Sequence, residues 1–269
     1  MRSTYQALGV LALGSIFIMS CSSIVRHPQV DGVKKIAIIS VYTNTEPYDL
    51  EQGGGTRFDL AQAVTGKTDN EANIRNEIAQ HGLDRYTWAF QQAGWQVVPT
   101  AQVIASADYK ALAASGQGPQ RGLASINEFA GRMGQSMYGS PPGMAPMPID
   151  ERTDNLNQLA QFCRKMGVDA VAIVNFDLGY RAKSSFFGMP KAQPAVAART
   201  LVVNKQGEFA VVFPEAAKGE RFEASREVEL QVGGRFSLNQ PNAALLFKEA
   251  IDKTAKYTIE TLRDGLAQR

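Results

Sequence analysis

The run Met166-Gly167-Val168-Asp169-Ala170-Val171-Ala172-Ile173-Val174-Asn175-Phe176 decides the fold class. From Ala170 to Val174 it is continuously apolar and partly β-branched, the composition of a strand covered on both faces. Gly167 closes a helix just before it, over 151–166, with Leu156, Leu159, Phe162, Cys163 and Met166 on one side. A second covered strand stands at Val33-Lys34-Lys35-Ile36-Ala37-Ile38-Ile39-Ser40-Val41-Tyr42. Covered strands alternating with amphipathic helices predict an α/β protein.

Between these two strands, residues 43–68 are polar and Gly-rich, including Gly53-Gly54-Gly55, and read as a long loop. Ile74, Ile78, Leu83, Tyr86 and Phe90 predict a helix over 69–93, with a break near His81 suggested by Gly82. Gly94 ends it, and Trp95 to Val98 form a short strand. Thr100 caps a helix that continues through 107–112; a further helix is expected over 122–133 and an irregular Gly-Pro-Met loop over 134–149. After Phe176 the second strand runs toward Tyr180. Strands at 195–203 and 208–213 flank a turn at 204–207, and 223–232 suggests one more strand. Asn239 and Pro241 announce a C-terminal helix with Ala244, Phe247, Ile251, Ala255, Ile259, Leu262 and Leu266 inward. The expected architecture is a mixed β-sheet packed with helices, closing with an antiparallel hairpin and a long amphipathic helix.

The N-terminus supplies the address. Arg2 is the sole charge before Cys21, residues 7–19 are apolar or small, and Ile18-Met19-Ser20-Cys21 has the form of a lipobox. This order predicts a signal peptide over 1–20 and a diacylglycerol- and palmitate-bearing Cys21. Residues 21–32 are expected to be a lipidated tether with a solvated His27, and 33–269 a single domain. The resemblance of this start to Gram-negative lipoproteins, with Ser22 rather than Asp after Cys21, implies sorting to the outer membrane, with the periplasmic face as the default.

Composition narrows the chemistry. The chain has 269 residues, a formal charge of +2, two Cys and two His. That charge leaves no footprint for nucleic acid. Cys163 falls on an apolar helix face near the helix C-terminus, where the dipole opposes a thiolate. His81 has no recognisable nucleophile motif around it. Asp169 and Asp177 resemble a carboxylate pair, but read more simply as strand-end caps. Ala61 to Thr68 matches a loose P-loop pattern with no strand leading into it. Met133, Met137, Met144 and Met147 cluster without an accompanying His or Cys, so no metal is expected, and no cofactor either. Ser184-Ser185-Phe186-Phe187-Gly188-Met189-Pro190 places two adjacent aromatics at a hairpin tip or strand connection; either Phe186, Phe187 and Met189 contact a partner or the membrane, or the loop folds back over the sheet.

The lipobox, the KKIAIISV strand, the Gly-Trp-Gln-Val-Val-Pro helix end (94–99) and the Met166–Val174 segment together resemble the α/β lipoprotein domains of the curli secretion lipoprotein CsgG and the N-terminal domain of TolB. That resemblance implies a non-catalytic module that assembles with envelope proteins, and some members form homo-oligomers. The expected function is therefore a lipid-anchored interaction module. The alternative is a small-ligand-binding lipoprotein with a pocket beside the Gly-rich loop.

Overall fold

Strand β1 (Lys35–Thr43) sends Ile36, Ile38 and Val41 to one side of a sheet and Ala37, Ile39 and Tyr42 to the other, and all six are buried. Burial on both sides explains why its sequence is a continuous apolar run. The computed structural model describes residues 24–44, 47–50, 69–114, 138–147, 156–183, 191–216, 222–230 and 236–268. In chain order the elements are β1, β2 (Tyr48–Asp49), α1 (Asp69–Gln92), β3 (Gln96–Val97), α2 (Thr100–Ala105), α3 (Ala107–Ala114), α4 (Leu156–Met166), β4 (Ala170–Lys183), β5 (Lys191–Asn204), β6 (Phe209–Ala216), β7 (Val228–Glu229) and α5 (Ala243–Ala267).

The described strands form one mixed sheet in the order β3-β1-β4-β5-β6, with β2 on β4 and β7 on β5. β3, β1 and β4 are parallel; β4-β5 and β5-β6 are antiparallel. The crossover from β1 to β3 travels one way along the sheet, and the return to β4 passes back beyond β1. Crossovers of one hand that travel in opposite directions put their helices on opposite faces. Ile78, Leu83, Tyr86 and Phe90 of α1 accordingly share one core with Phe247, Ile251 and Ile259 of α5. Leu159, Phe162 and Cys163 of α4 share the other with Val103 and Tyr109.

Helices α1 and α5 run side by side in the same direction. Glu77 meets Lys248, His81 meets Asp252 and the Gln92 carbonyl meets Arg263, each pair 171 residues apart. A constant offset requires parallel helices in register. Between them the buried Tyr86 hydroxyl meets Oγ1 of Thr254 at 3.4 Å and of Thr258 at 3.3 Å.

The structure corrects several expectations. Helix α1 runs unbroken through Gly82, because this glycine is a point of close approach: a Cβ there would overlap the Phe176 ring, 2.9 Å from Cζ and nearer still to Cε2. Thr100 is the first residue of α2 and caps nothing; Pro99 precedes it, and Ser106 instead accepts the Tyr109 N–H to start α3. The expected loop at 43–68 contains β2. The expected helix over 122–133 lies outside the described residues.

Residues 24–32 are not a solvated tether. Val25 and Val30 enter the core beneath α5, Val25 forms an antiparallel bridge with Val211, and His27 contacts Asp31 and the Gly265 carbonyl. The physical reason is the isolated valines, whose burial outweighs the polar character of their neighbours.

The carboxylate of Asp169 caps the start of β1. Its Oδ2 accepts the N–H groups of Lys34 and Lys35 at 3.1 and 3.0 Å, and Lys205 Nζ reaches Oδ1 at 3.1 Å. Partial burial opposes its ionisation, but the Lys35 N–H, the Lys205 ammonium and the Lys34 N–H outweigh that and hold the carboxyl below its ordinary range. A depressed folded-state value contributes stability above the unfolded value, and that contribution disappears as pH falls through the folded one. Asp169→Asn is therefore expected to cost about 1 kcal/mol at neutral pH. The gap from wild type should shrink in urea melts below pH 4; an equal gap at both pH values would contradict the capping account.

Candidate functional site

Strand β4 continues seven residues past Phe176, and β5 begins four residues before the expected start, so the two form a paired arm that ends at Lys183 opposite Lys191. The sequence understated this arm because Arg181, Ala182 and Lys183 lose their burial and hence their apolar signature. On one side β2 pairs with Gly179 and Tyr180. Between β1 and β2 the Asn44 side chain continues the ladder: its Oδ1 accepts the Leu178 N–H at 2.7 Å and its Nδ2 donates to the Leu178 carbonyl at 2.9 Å. On the other side β7 pairs with Lys191 and Ala192. Tyr180 stacks on Phe236, whose ring meets Phe247 of α5, so the arm is tied to the body.

Phe186, Phe187 and Met189 lie outside the described residues, as does Cys21. Their described flanks are informative. The seven residues 184–190 link two strand ends that are register partners, and Cys21 precedes by three residues an Ile24 that is fixed on β6.

A polar cluster that the sequence did not reveal lies level with the carboxyl end of β1, beside the middle of β4. Asn175 and Arg199 are cross-strand partners, and Asn175 Nδ2 donates to Asp177 Oδ1 at 3.2 Å. The Asn175 Oδ1 atom is buried with no hydrogen-bond partner among the described residues. Tyr138 packs edge-on to Tyr42, ring centres 5.5 Å apart. Burial, with the Asp177 charge adding to it, pushes the Tyr138 phenol up, so this group is a hydrogen-bond donor rather than a phenolate. Cross-strand neighbours distant in sequence build this cluster, and no local motif announces it.

The other groups singled out in the sequence lie in separate places. Asp177 sits inside β4, not at its end, and Asp169 stands eight residues away at the strand start, so the two are no pair. His81 Nε2 is 2.8 Å from Asp252 Oδ1, which also pairs with Arg85 Nε at 2.8 Å; Arg85 in turn lies over the Trp88 ring. That assembly bridges two helices. Burial pushes the Cys163 thiol up to about 12. Met144 is buried, its sulfur 3.1 Å from the Val41 N–H, and residues 138–147 cover the part of the β1 edge that β3 leaves open. Met133 and Met137 lie outside the described residues. Among the described residues no group of three or more His, Cys, Asp or Glu converges.

Two wide-mouthed cavities are described. One, of about 430 Å³, lies beside the start of α5 and is lined by Arg226, Glu227, Glu229 and Gln240 among others. The second, of about 420 Å³, runs between α1, α2 and Pro141-Pro142. Neither is the enclosed apolar pocket with convergent polar groups that a small-ligand carrier would need.

Among solved structures the chain is similar to lipoprotein GNA1162 from Neisseria meningitidis, with 10% identity and a TM-score of 0.30, covering 88% of this chain and 99% of that one. No family model and no curated protein matches. No helix among the described residues is long and apolar enough to cross a membrane.

Proposed function

We propose that this chain is a lipid-anchored cell-envelope protein, held to the outer membrane by acyl chains on Cys21 and facing the periplasm, where it acts as a non-catalytic interaction and assembly module. The observation that carries the interaction reading is the β4-β5 arm. It delivers the segment bearing Phe186, Phe187 and Met189 to the end of a braced hairpin, flanked by the paired Lys183 and Lys191. Aromatic and Met side chains supply contact area to protein interfaces, and flanking basic groups suit their polar rim. The resemblance to the curli secretion lipoprotein group points the same way, toward envelope proteins or further copies of this chain as partners. The lipobox carries the anchor.

The non-catalytic reading is supported by the Cys163 thiol, which stays protonated at any physiological pH, and by His81, which is held between helices by Asp252.

Two variants test the proposal. Cys21→Ser is expected to abolish incorporation of a labelled fatty acid and to release the protein from the membrane fraction; unchanged labelling would sink the anchor. The double variant Phe186→Ala with Phe187→Ala is expected to lose cross-linked adducts in intact envelopes while keeping the wild-type melting temperature. Adducts of undiminished yield would remove the arm from the interface.

A further inference from the structure

We propose that residues 24–33 are a docking strap, which holds the folded domain directly on the leaflet that carries its anchor, with the outer edge of β6 and the C-terminal half of α5 turned to the lipid. The inference rests on the lipidation of Cys21 and adds an orientation to it.

The strap continues the sheet past β6. The Val212 N–H donates to the Ile24 carbonyl at 2.9 Å, and the Arg26 N–H donates to the Ala210 carbonyl at 2.9 Å. Val25 is 5% exposed and Val30 2%. Gly265 of α5 leaves room for Val25, since a Cβ there would come within 2.6 Å of Val25 Cβ. The His27 ring lies between Asp31 Oδ1 at 2.8 Å and the Gly265 carbonyl at 3.0 Å. The Asn204 amide, which shapes the β5-β6 turn by accepting the Gln206 and Glu208 N–H groups, donates to the Gln29 carbonyl at 3.0 Å. The strap is thus tied to β6, to the β5-β6 turn and to α5.

Chain length then fixes the distance. Three residue spacings separate Cys21 from Ile24, which reach at most about 11 Å. A free tether from Cys21 to Val33 would have allowed roughly 40 Å. The acylated residue therefore stays beside the β6 edge. On the α5 side of that edge Tyr257 packs against Phe213 and Phe222, and the exposed Asp264 and Gln268 follow it. The exposed Gln102 of α2 is near the opposite edge, four strand spacings from β6, or about 19 Å. Ile24 stands level with Val212, Leu201 and Ile173, ten residues short of Lys183, so the arm ends roughly 33 Å farther along the strand. Residues 21–23 cannot span that distance, so the acylated residue lies at the body of the sheet and not at the end of the arm.

The test uses full-length lipidated protein in phosphatidylethanolamine/phosphatidylglycerol vesicles that carry a headgroup-linked quencher. A single fluorophore is placed at Asp264→Cys or at Gln102→Cys, Cys163 being too buried to react. Quenching is expected to be at least twofold stronger at 264 than at 102. Inserting ten Gly/Ser residues after Ser23 should equalise the two sites without changing the melting temperature. Equal quenching with the native linkage, in protein whose Cys21 carries labelled fatty acid, overturns the docking and leaves the anchor intact. Absence of fatty acid on Cys21 overturns the anchor itself, and the docking with it.

Discussion

Phe247→Ala is expected to lower the stability of the fold by about 3–5 kcal/mol, the range for removing a fully buried aromatic side chain. Phe247 is 0% exposed and lies between α5 and the sheet. Its ring meets Phe236 at 5.5 Å between centres, and Phe236 stacks on Tyr180 of the arm at 5.6 Å. Truncation therefore leaves a cavity that these rings cannot refill without giving up their own packing. The effect should be read in urea melts of the purified protein. Leu245→Ala, two residues earlier on the same helix but 55% exposed, is the control and should change stability by less than about 0.5 kcal/mol. Because the ring chain ends on the arm, proteolysis near Lys183 and Lys191 should also accelerate in Phe247→Ala. A variant that unfolds at the wild-type urea concentration would contradict the assignment of Phe247 to the core.

Gly82→Ala is the second large effect, and it opposes the usual rule. Alanine in place of a mid-helix glycine ordinarily gains about 1 kcal/mol. Here the added methyl would overlap the ring of Phe176, which is itself fully buried and packed edge-on against Tyr86 at 5.2 Å. Overpacking of this kind costs about 1–3 kcal/mol or more. The clash lies between helix backbone and a ring with no room to retreat, so the loss exceeds the gain and a net destabilisation of about 2 kcal/mol is expected. In a domain of this size that corresponds to a fall in Tm of roughly 4–8 °C. Combining Gly82→Ala with Phe176→Leu should recover part of the loss, giving a coupling energy that independent sites do not show. A Tm equal to or above wild type would mean that α1 does not approach β4 this closely.

Both predictions mark the boundary between local and tertiary information. Gly82 looks like a helix break in the sequence because propensity counts only the backbone freedom of the residue. The structure shows a glycine selected by the ring of Phe176, 94 positions later, a neighbour no local window contains. Val25 and Val30 have the same character. Two valines scattered among polar residues have no period to detect, yet a groove under α5 buries both. The arm was half legible: its inner part is apolar because helices cover it, and its outer part is not because they stop. The cluster of Asn175, Asp177, Arg199 and Tyr138 was illegible, since it exists only once β4 and β5 are paired.

The α/β class and the order of the main elements are written in local sequence signals, and the lipid address proposed at Cys21 rests on such a signal alone. Those signals are local: covered strands must be continuously apolar, helices must repeat their apolar face, and a lipobox is a short covalent motif. The tertiary structure decided that residues 24–32 belong to the folded body, that α1 passes Gly82 unbroken, and that the arm extends to Lys183 and Lys191. Each of these depends on which surfaces meet, and the free energy of meeting belongs to residues far apart in the chain.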